Sequence, residues 1–349
     1  MKNSCIKIKN TKIGIGQRPF VIAELSGNHN QSLERAKQLV EAAAKSGAHA
    51  VKLQTYTADT MTIKGALKIE DPNSLWYGKE LHDLYKEAYT PWEWHKDLFK
   101  LAQSLGMIAF SSPFDASSVD FLESLSVPLY KIASFENTDI PLLKKIAATK
   151  KPVIMSTGGA TLQQVSEAVT TLKTNGCKDL VLLKCTSSYP ASPKSTNLLA
   201  MQTLQKVFNV PVGLSDHTMG IGVPIASVGL GACVIEKHFT LKRSDGGVDS
   251  AFSIEPLELK QLIKEVDRAF LALGSANFGI SSEEENNLVF KRSVYAINDI
   301  QPGDTFSTEN LKVIRPGKGI EPKFFEMLLG KVSKKKIKKG EPITWEKIL

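Results

Sequence analysis

Eight short runs of aliphatic and β-branched residues recur along the first 240 positions of the chain. They are Phe20–Leu25, Ala50–Tyr56, Met107–Pro113, Leu129–Ala133, Pro152–Thr157, Leu180–Thr186, Val210–Ser215 and Val234–Phe239. Most are continuously apolar, as expected of parallel strands buried on both faces. Between them, apolar residues return every three or four positions, which predicts amphipathic helices. Three such segments (LERAKQLVEAAAKSG, WEWHKDLFKLAQSLG and LQQVSEAVTTLKTNG) end at Gly47, Gly106 and Gly176, where a helix is expected to stop. A last helical pattern covers Pro256–Leu273. Eight strand–helix units in this length predict an α/β TIM (β/α)8 barrel, a fold of about 250 residues. A doubly wound sheet is the rival, but the first strand runs into AELSGNH and not into a GxGxxG turn.

Two segments fall outside the repeat. Gly65–Tyr89 is a long insertion after the second strand, expected over the active-site face of a barrel. SSEEENN at 281–287 reads as a polar linker, and after it short strands with Gly/Pro turns replace the helical patterns. The expected division is a barrel at 1–280, a linker at 281–289 and a small β-rich domain at 290–349.

Composition narrows the class. With 42% hydrophobic and 23% charged residues, the 349-residue chain is neither disordered nor collagen-like. No apolar run is long enough to span a bilayer, and MKNSCIKIKN lacks the apolar core of a secretory signal. The four cysteines show no CxxC pairing, which suits free thiols in a reducing cytoplasm. The net charge of +8 is unevenly spread. Residues 290–349 hold 13 Lys+Arg against 7 Asp+Glu, or +6, leaving +2 for the rest. This cationic domain suits attraction of anionic small molecules. Nucleic-acid binding rests only on KKKIKK at 334–339, a run that has no interleaved aromatics and reads as a solvated edge.

Barrel chemistry sits at the C-terminal ends of the strands. Polar residues collect there on every strand: Glu24, Ser26, Asn28 and His29; Lys52 and Gln54; Ser111 and Ser112, followed by Phe114; Lys131, Ser134 and Glu136; Ser156 and Thr157, followed by Gly158 and Gly159; Lys184, Ser187 and Tyr189; Ser215 and His217; Glu236 and His238. Such groups are costly to bury unpaired, so together they predict a functional rim. Lys52 and Lys131 among serine hydroxyls suit a phosphate and a carboxylate. A Schiff-base lysine is the alternative use of a strand lysine. His217 and His238, on neighbouring strands, could share one divalent metal. Glu24, Glu136 and Asp249 are candidate acid/base groups.

In order along the chain, IAELSGNH, KLQTY, FSSPFD, YKIASFE, MSTGGAT, KCTSSYP, GLSDHT and IEKHFT resemble the strand-end motifs of the sialic acid (nonulosonic acid) synthase family. RSVYA and RPGKGI resemble the antifreeze-like (SAF) domain fused to those barrels. The insertion, above all YKEAYTPWEWH, resembles the pseudaminic acid branch. The resemblance implies condensation of phosphoenolpyruvate with an amino-sugar aldehyde, with legionaminic or N-acetylneuraminic acid synthesis as the nearest alternatives. It implies a Mn²⁺ or Mg²⁺ ion on His217 and His238. It implies a phosphoenolpyruvate pocket of Lys52, Lys131, Ser134, Ser156, Ser187 and Ser215, with Ser112 at its edge. Glu24, Gln54, Phe114, Tyr189 and Asp249 resemble sugar-side contacts, and Glu136 an acidic group handling protons. Arg315 resembles an arginine reaching a neighbouring subunit's site in a homodimer that exchanges its small domains. His49, His82 and His95 are expected to be surface or packing groups, and Cys185 a small buried hydrophobe.

Overall fold

The computed structural model describes residues 5–349. The first four residues of the N-terminal segment read above lie outside them. The chain divides into two compact units, one ending at Gly274 and one covering Ser275–Leu349.

The first unit begins with a hairpin, β1 (Cys5–Ile8) and β2 (Thr11–Gly14). Eight parallel strands follow: β3 (Phe20–Glu24), β4 (Ala50–Thr55), β5 (Ile108–Pro113), β6 (Tyr130–Ile132), β7 (Val153–Ser156), β8 (Leu180–Cys185), β9 (Val212–Asp216) and β10 (Val234–His238). They pair in chain order, and β10 closes on β3, so the sheet is the expected closed barrel.

The continuous apolar runs are explained by this closure. One set of alternate residues, including Val21, Ala23, Val51, Leu53, Val153, Met155, Leu182 and Ile235, packs against the helices. The other set points inward and changes character along each strand. Its N-terminal members (Phe20, Ile22, Ala50, Phe110, Ile154, Val181, Leu183 and Val234) form an apolar floor. Its C-terminal members (Lys52, Ser112, Lys131, Ser156, Ser215, Glu236 and His238) are equally buried but polar. Ile6, Ile8 and Ile13 of the hairpin join the floor cluster and plug the lower end.

The helices obey local chemistry. Helix Leu33–Ser46 starts on the Ser32 side chain and ends at Gly47 with φ of 91°, a left-handed cap suited to glycine. Helix Leu162–Thr174 opens with a reciprocal Thr161–Gln164 capping box. The insertion folds back on itself. Lys68 bridges Glu80, backbone bonds join Ile69 to Lys79 and Gly78, and helix Leu81–Ala88 follows.

The second unit contains the antiparallel pair β11 (Ser293–Ala296) and β12 (Leu311–Ile314) over a core that includes Val294, Phe306, Ile320, Leu328 and Ile343. Ile337, inside the lysine run, is fully buried in that core, while Lys334–Lys336, Lys338 and Lys339 are exposed. Most of the segment read as a linker is helical. Ser281 caps a helical turn, Ser282–Glu285, through Glu284, and a 3-10 turn covers Asn286–Phe290. Among the described residues no helix is long and apolar enough to cross a membrane.

Candidate active site

The polar upper half of the barrel opens into a cavity of about 360 Å³. Lys52, Gln54, Phe114, Lys131, Ser134, Glu136, Ser156, Tyr189, Ser215, His217, His238 and Asp249 line it, as do Ser26, Cys185 and Glu236. Glu24, Ser112 and Ser187 stand just behind this lining, each tied to one of its members. Arg315 is an exposed residue of the second unit.

At the centre are two lysines and two carboxylates. Lys52 Nζ lies 2.5 Å from Glu24 Oε2 and 3.3 Å from Glu236 Oε1, and it donates to Ser112 Oγ at 3.3 Å. Lys131 Nζ donates to Ser156 Oγ at 2.7 Å and lies 3.9 Å from Glu236 Oε1. Burial pushes Glu24 up and Lys131 down from their ordinary pKa values. Burial would also raise Glu236, but Lys131 and Lys52 outweigh it and hold the carboxyl below the usual range. Glu236 Oε2 and Glu136 Oε2 are buried with no hydrogen-bond partner. Native interiors rarely leave such atoms unpaired except where a ligand or water is expected.

Beside Lys131 is a small anion cradle. The Gly158 N–H donates to Ser134 Oγ at 3.2 Å, and a Cβ on residue 158 would collide with the hydroxyls of Ser134 and Ser187. Glycine is therefore required there so that the hydroxyls of Ser134 and Ser187 can approach one point, with the Gly158 N–H fixing the first of them. That donor set suits a phosphate.

The two imidazoles meet across the mouth, with ring centroids 5.2 Å apart. His217 Nδ1 lies 3.0 Å from the Thr186 carbonyl oxygen and donates to it, so the Nε2 lone pair is free for a ligand when the ring is neutral. Burial would lower the His217 pKa, but the Cys185 thiol and that carbonyl carry it above the ordinary value. Burial holds His238 well below, neutral at pH 7. No cluster of three or more His, Cys, Asp or Glu side chains able to hold an ion occurs among the described residues. Two imidazoles alone could hold a divalent ion only if it took its remaining ligands from water and substrate oxygens. Charge favours such an ion: two lysines already face two carboxylates, so an arriving polyanion needs further positive charge.

A second network holds the β3 end. Ser26 adopts φ of 44°, costing about 1 kcal/mol for a residue with a Cβ. Its N–H donates to Glu24 Oε1 at 3.1 Å and its hydroxyl bonds Asp249 Oδ2. Gln54 Nε2 donates to both Glu24 Oε1 and Ser26 Oγ. Burial raises Asp249, and burial brings Glu136 up to about 7.

The profile of the NeuB family matches residues 39–278, and that of the SAF domain matches residues 291–349. The chain belongs to the NeuB family. Among its relatives, pseudaminic acid synthase of Campylobacter jejuni (serotype O:2) is 44% identical over 94% of this chain and 96% of its own. N,N'-diacetyllegionaminic acid synthase of Legionella pneumophila is 43% identical over 94% of each. The crystal structure of the N-acetylneuraminic acid synthetase of Leptospira borgpetersenii superposes with a TM-score of 0.74 at 32% identity, covering 82% of this chain and 95% of that one.

Against this NeuB-family site, the residues that the sequence singled out, all but Arg315, gather as one group in the first unit. One contributor was not among them: Trp76, which roofs the cavity from the insertion. Three strand-end residues that the sequence left without a role gain one, as Glu236 and Gly158 complete the anion centre and Ser26 braces Glu24 and Asp249. Cys185 is buried, as expected, but it faces the cavity 3.8 Å from His217 Nδ1. Burial would raise its thiol, yet the hydrogen bond and charge of His217 bring it down to about 7. His95 is a packing group, fully buried with Nε2 2.8 Å from Thr55 Oγ1.

Proposed function

We propose that this chain makes pseudaminic acid by joining phosphoenolpyruvate to 2,4-diacetamido-2,4,6-trideoxy-altrose, with release of phosphate. The carrying observation is the one cavity that Lys131, Ser134 and Ser156 line together with the His217–His238 pair. Three pseudaminic acid synthases at 42–44% identity support the choice of sugar. The legionaminic acid enzyme at 43% keeps that product, with N-acetylneuraminic acid, as the alternative.

In this reading Lys131, Ser134, Ser156 and Ser187 hold the phosphate, with the Gly158 N–H fixing the Ser134 hydroxyl. Lys52 and Ser215 hold the carboxylate, with Ser112 fixing the Lys52 ammonium. Glu24 and Asp249, braced by Ser26 and Gln54, orient the open-chain sugar, with Phe114 and Tyr189 at its flanks. C3 of the enol then meets the aldehyde carbon in a site where water is largely excluded. Lys52 and Lys131 stabilise the charge that moves as the carbon–carbon bond forms and the C–O bond to phosphate breaks. Glu136, with a pKa about 7, is suited to take the proton of the water that adds at C2. His217 and His238 would hold Mn²⁺ or Mg²⁺, which when bound polarises the aldehyde oxygen. The working form is a cytoplasmic homodimer in which Arg315 of one copy serves the site of the other. Support for that pairing is the resemblance of RPGKGI to the antifreeze-like domain and the +6 charge of residues 290–349.

The test supplies phosphoenolpyruvate, Mn²⁺ and, separately, the altrose derivative, the legionaminic acid precursor or N-acetylmannosamine. Phosphate release and product mass are measured. The altrose derivative should be preferred, and EDTA should abolish turnover. Faster turnover of either other sugar reassigns the product, whereas chelator-resistant activity with a borohydride-trapped lysine adduct replaces the mechanism with a Schiff-base one. Light scattering, with mixing of Arg315→Ala and His238→Ala chains to restore activity, tests the exchanged dimer.

A further inference from the structure

The cavity has two unlike walls. Its floor and rear are ionic, as described above. Its roof is the insertion, which contributes Ile69, Trp76, Leu81, Leu84 and Tyr85 to the lining, with Met61 beside them. Trp76 closes this roof. Its only donor, Nε1–H, is used on the Val248 carbonyl at 2.9 Å, next to Asp249. Its ring lies 5.8 Å from that of Tyr189, which in turn lies 4.5 Å from His217. The roof therefore stands one aromatic ring away from the imidazole pair, over whatever part of the sugar extends away from the reacting aldehyde. The Ile69–Lys79 backbone clasp keeps this part of the insertion folded.

Tyr85 brings one phenol to this roof; the rest of it, Ile69, Leu81, Leu84 and a Trp76 whose N–H is already spent, offers nothing to a hydroxyl group. A hydroxyl pressed against Ile69, Leu81 or Leu84 would lose its water without gaining a partner. A methyl group in the same place would gain burial. We propose that Trp76 and this apolar roof are a specificity determinant, selecting sugars whose terminal carbon is a methyl over those bearing a hydroxymethyl. The inference rests on the assignment of the cavity to an acetamido sugar, and it deepens that assignment by one atom. An apolar wall rejects an added hydroxyl only moderately, so a preference of about 10–100-fold in kcat/KM is expected.

Matched sugars test it: N-acetylmannosamine against its 6-deoxy analogue, and the altrose derivative against its 6-hydroxy counterpart. Each is assayed for phosphate release from phosphoenolpyruvate. Wild type should favour the deoxy member of each pair. Trp76→Ala should shrink that ratio at least about fivefold, mainly by raising KM for the deoxy sugar, while Trp76→Phe should keep most of it. Leu81→Ser, which places a hydroxyl on the roof, should raise use of the hydroxy sugar. Thermal melts confirm that each variant is folded. Equal losses for both members of a pair in Trp76→Ala, or no preference in wild type, would overturn the roof's role while leaving the condensation intact. No phosphate release with any sugar would instead overturn the assignment of the cavity, and this inference with it.

Discussion

Two buried ionic clusters stand back to back on the same strands. Outside the barrel wall, between β9 and β10, Lys237 Nζ meets Asp216 Oδ2 at 2.6 Å and the Thr218 carbonyl at 2.6 Å. Asp216 Oδ1 accepts from the Thr218 N–H, and Oδ2 also accepts from its hydroxyl. Both charged side chains are almost wholly buried. Inside the wall, Glu236 is just as buried, but its Oε2 has no partner, and the lysines around it are shared among several acids. One register step on β10 separates Lys237 from Glu236. The outer pair is complete in itself and ties together the strands that carry His217 and His238. The inner set is complete only with a ligand. Burial of charge alone does not mark a site; unmet hydrogen-bonding capacity does.

Breaking the outer pair should give the largest effect on folding. Asp216→Ala leaves the Lys237 ammonium buried and unpaired, and should cost about 3–5 kcal/mol in urea melts. The double change Asp216→Leu with Lys237→Met should recover most of that loss. Lys131→Met in the inner cluster should do the reverse. Phosphate release should fall about 10²–10³-fold, with the melting temperature unchanged or raised, because an anion holder is removed from an already strained site. Loss of fold in Lys131→Met, or of activity alone in Asp216→Ala, would erase the distinction.

The pH profile sharpens it. Glu136 has its pKa raised to about 7, so at lower pH it is protonated and cannot accept a proton. The rate should fall about tenfold per pH unit below 7 and level off above it. Glu136→Gln should lower the plateau and remove that limb. The smallest effect belongs to an exposed pair: Lys145→Ala, which loses a 2.8 Å contact with Asp120, should cost less than about 1 kcal/mol.

The barrel was legible because both faces of each strand are buried, which leaves unbroken apolar runs, and because each run ends in polar residues. The hairpin β1–β2 was not read, although Ile6, Ile8 and Ile13 alternate with lysines about the Lys9–Asn10 turn. Its strands are only four residues long. The capped turn at 281–285 was also written in the sequence as Ser281–x–x–Glu284, but its acidic run suggested a linker. Site residues were found where a strand end announced them. Glu236 was among them, but its role depends on which lysines the closed barrel brings from β4 and β6. Gly158 was among them without a role, because the hydroxyls it admits come from other strands. Trp76 is 172 residues from the Val248 carbonyl that fixes it, a distance that only folding spans.

Among the described residues, the hairpin stopper closes the lower end of the barrel, and in the proposed reaction the anion held by Lys131 and Ser156 sits on the stopper's side of the sugar. In the proposed reaction this dictates an itinerary. Phosphoenolpyruvate must be seated before the sugar, and inorganic phosphate must wait for the bulkier sugar acid to depart.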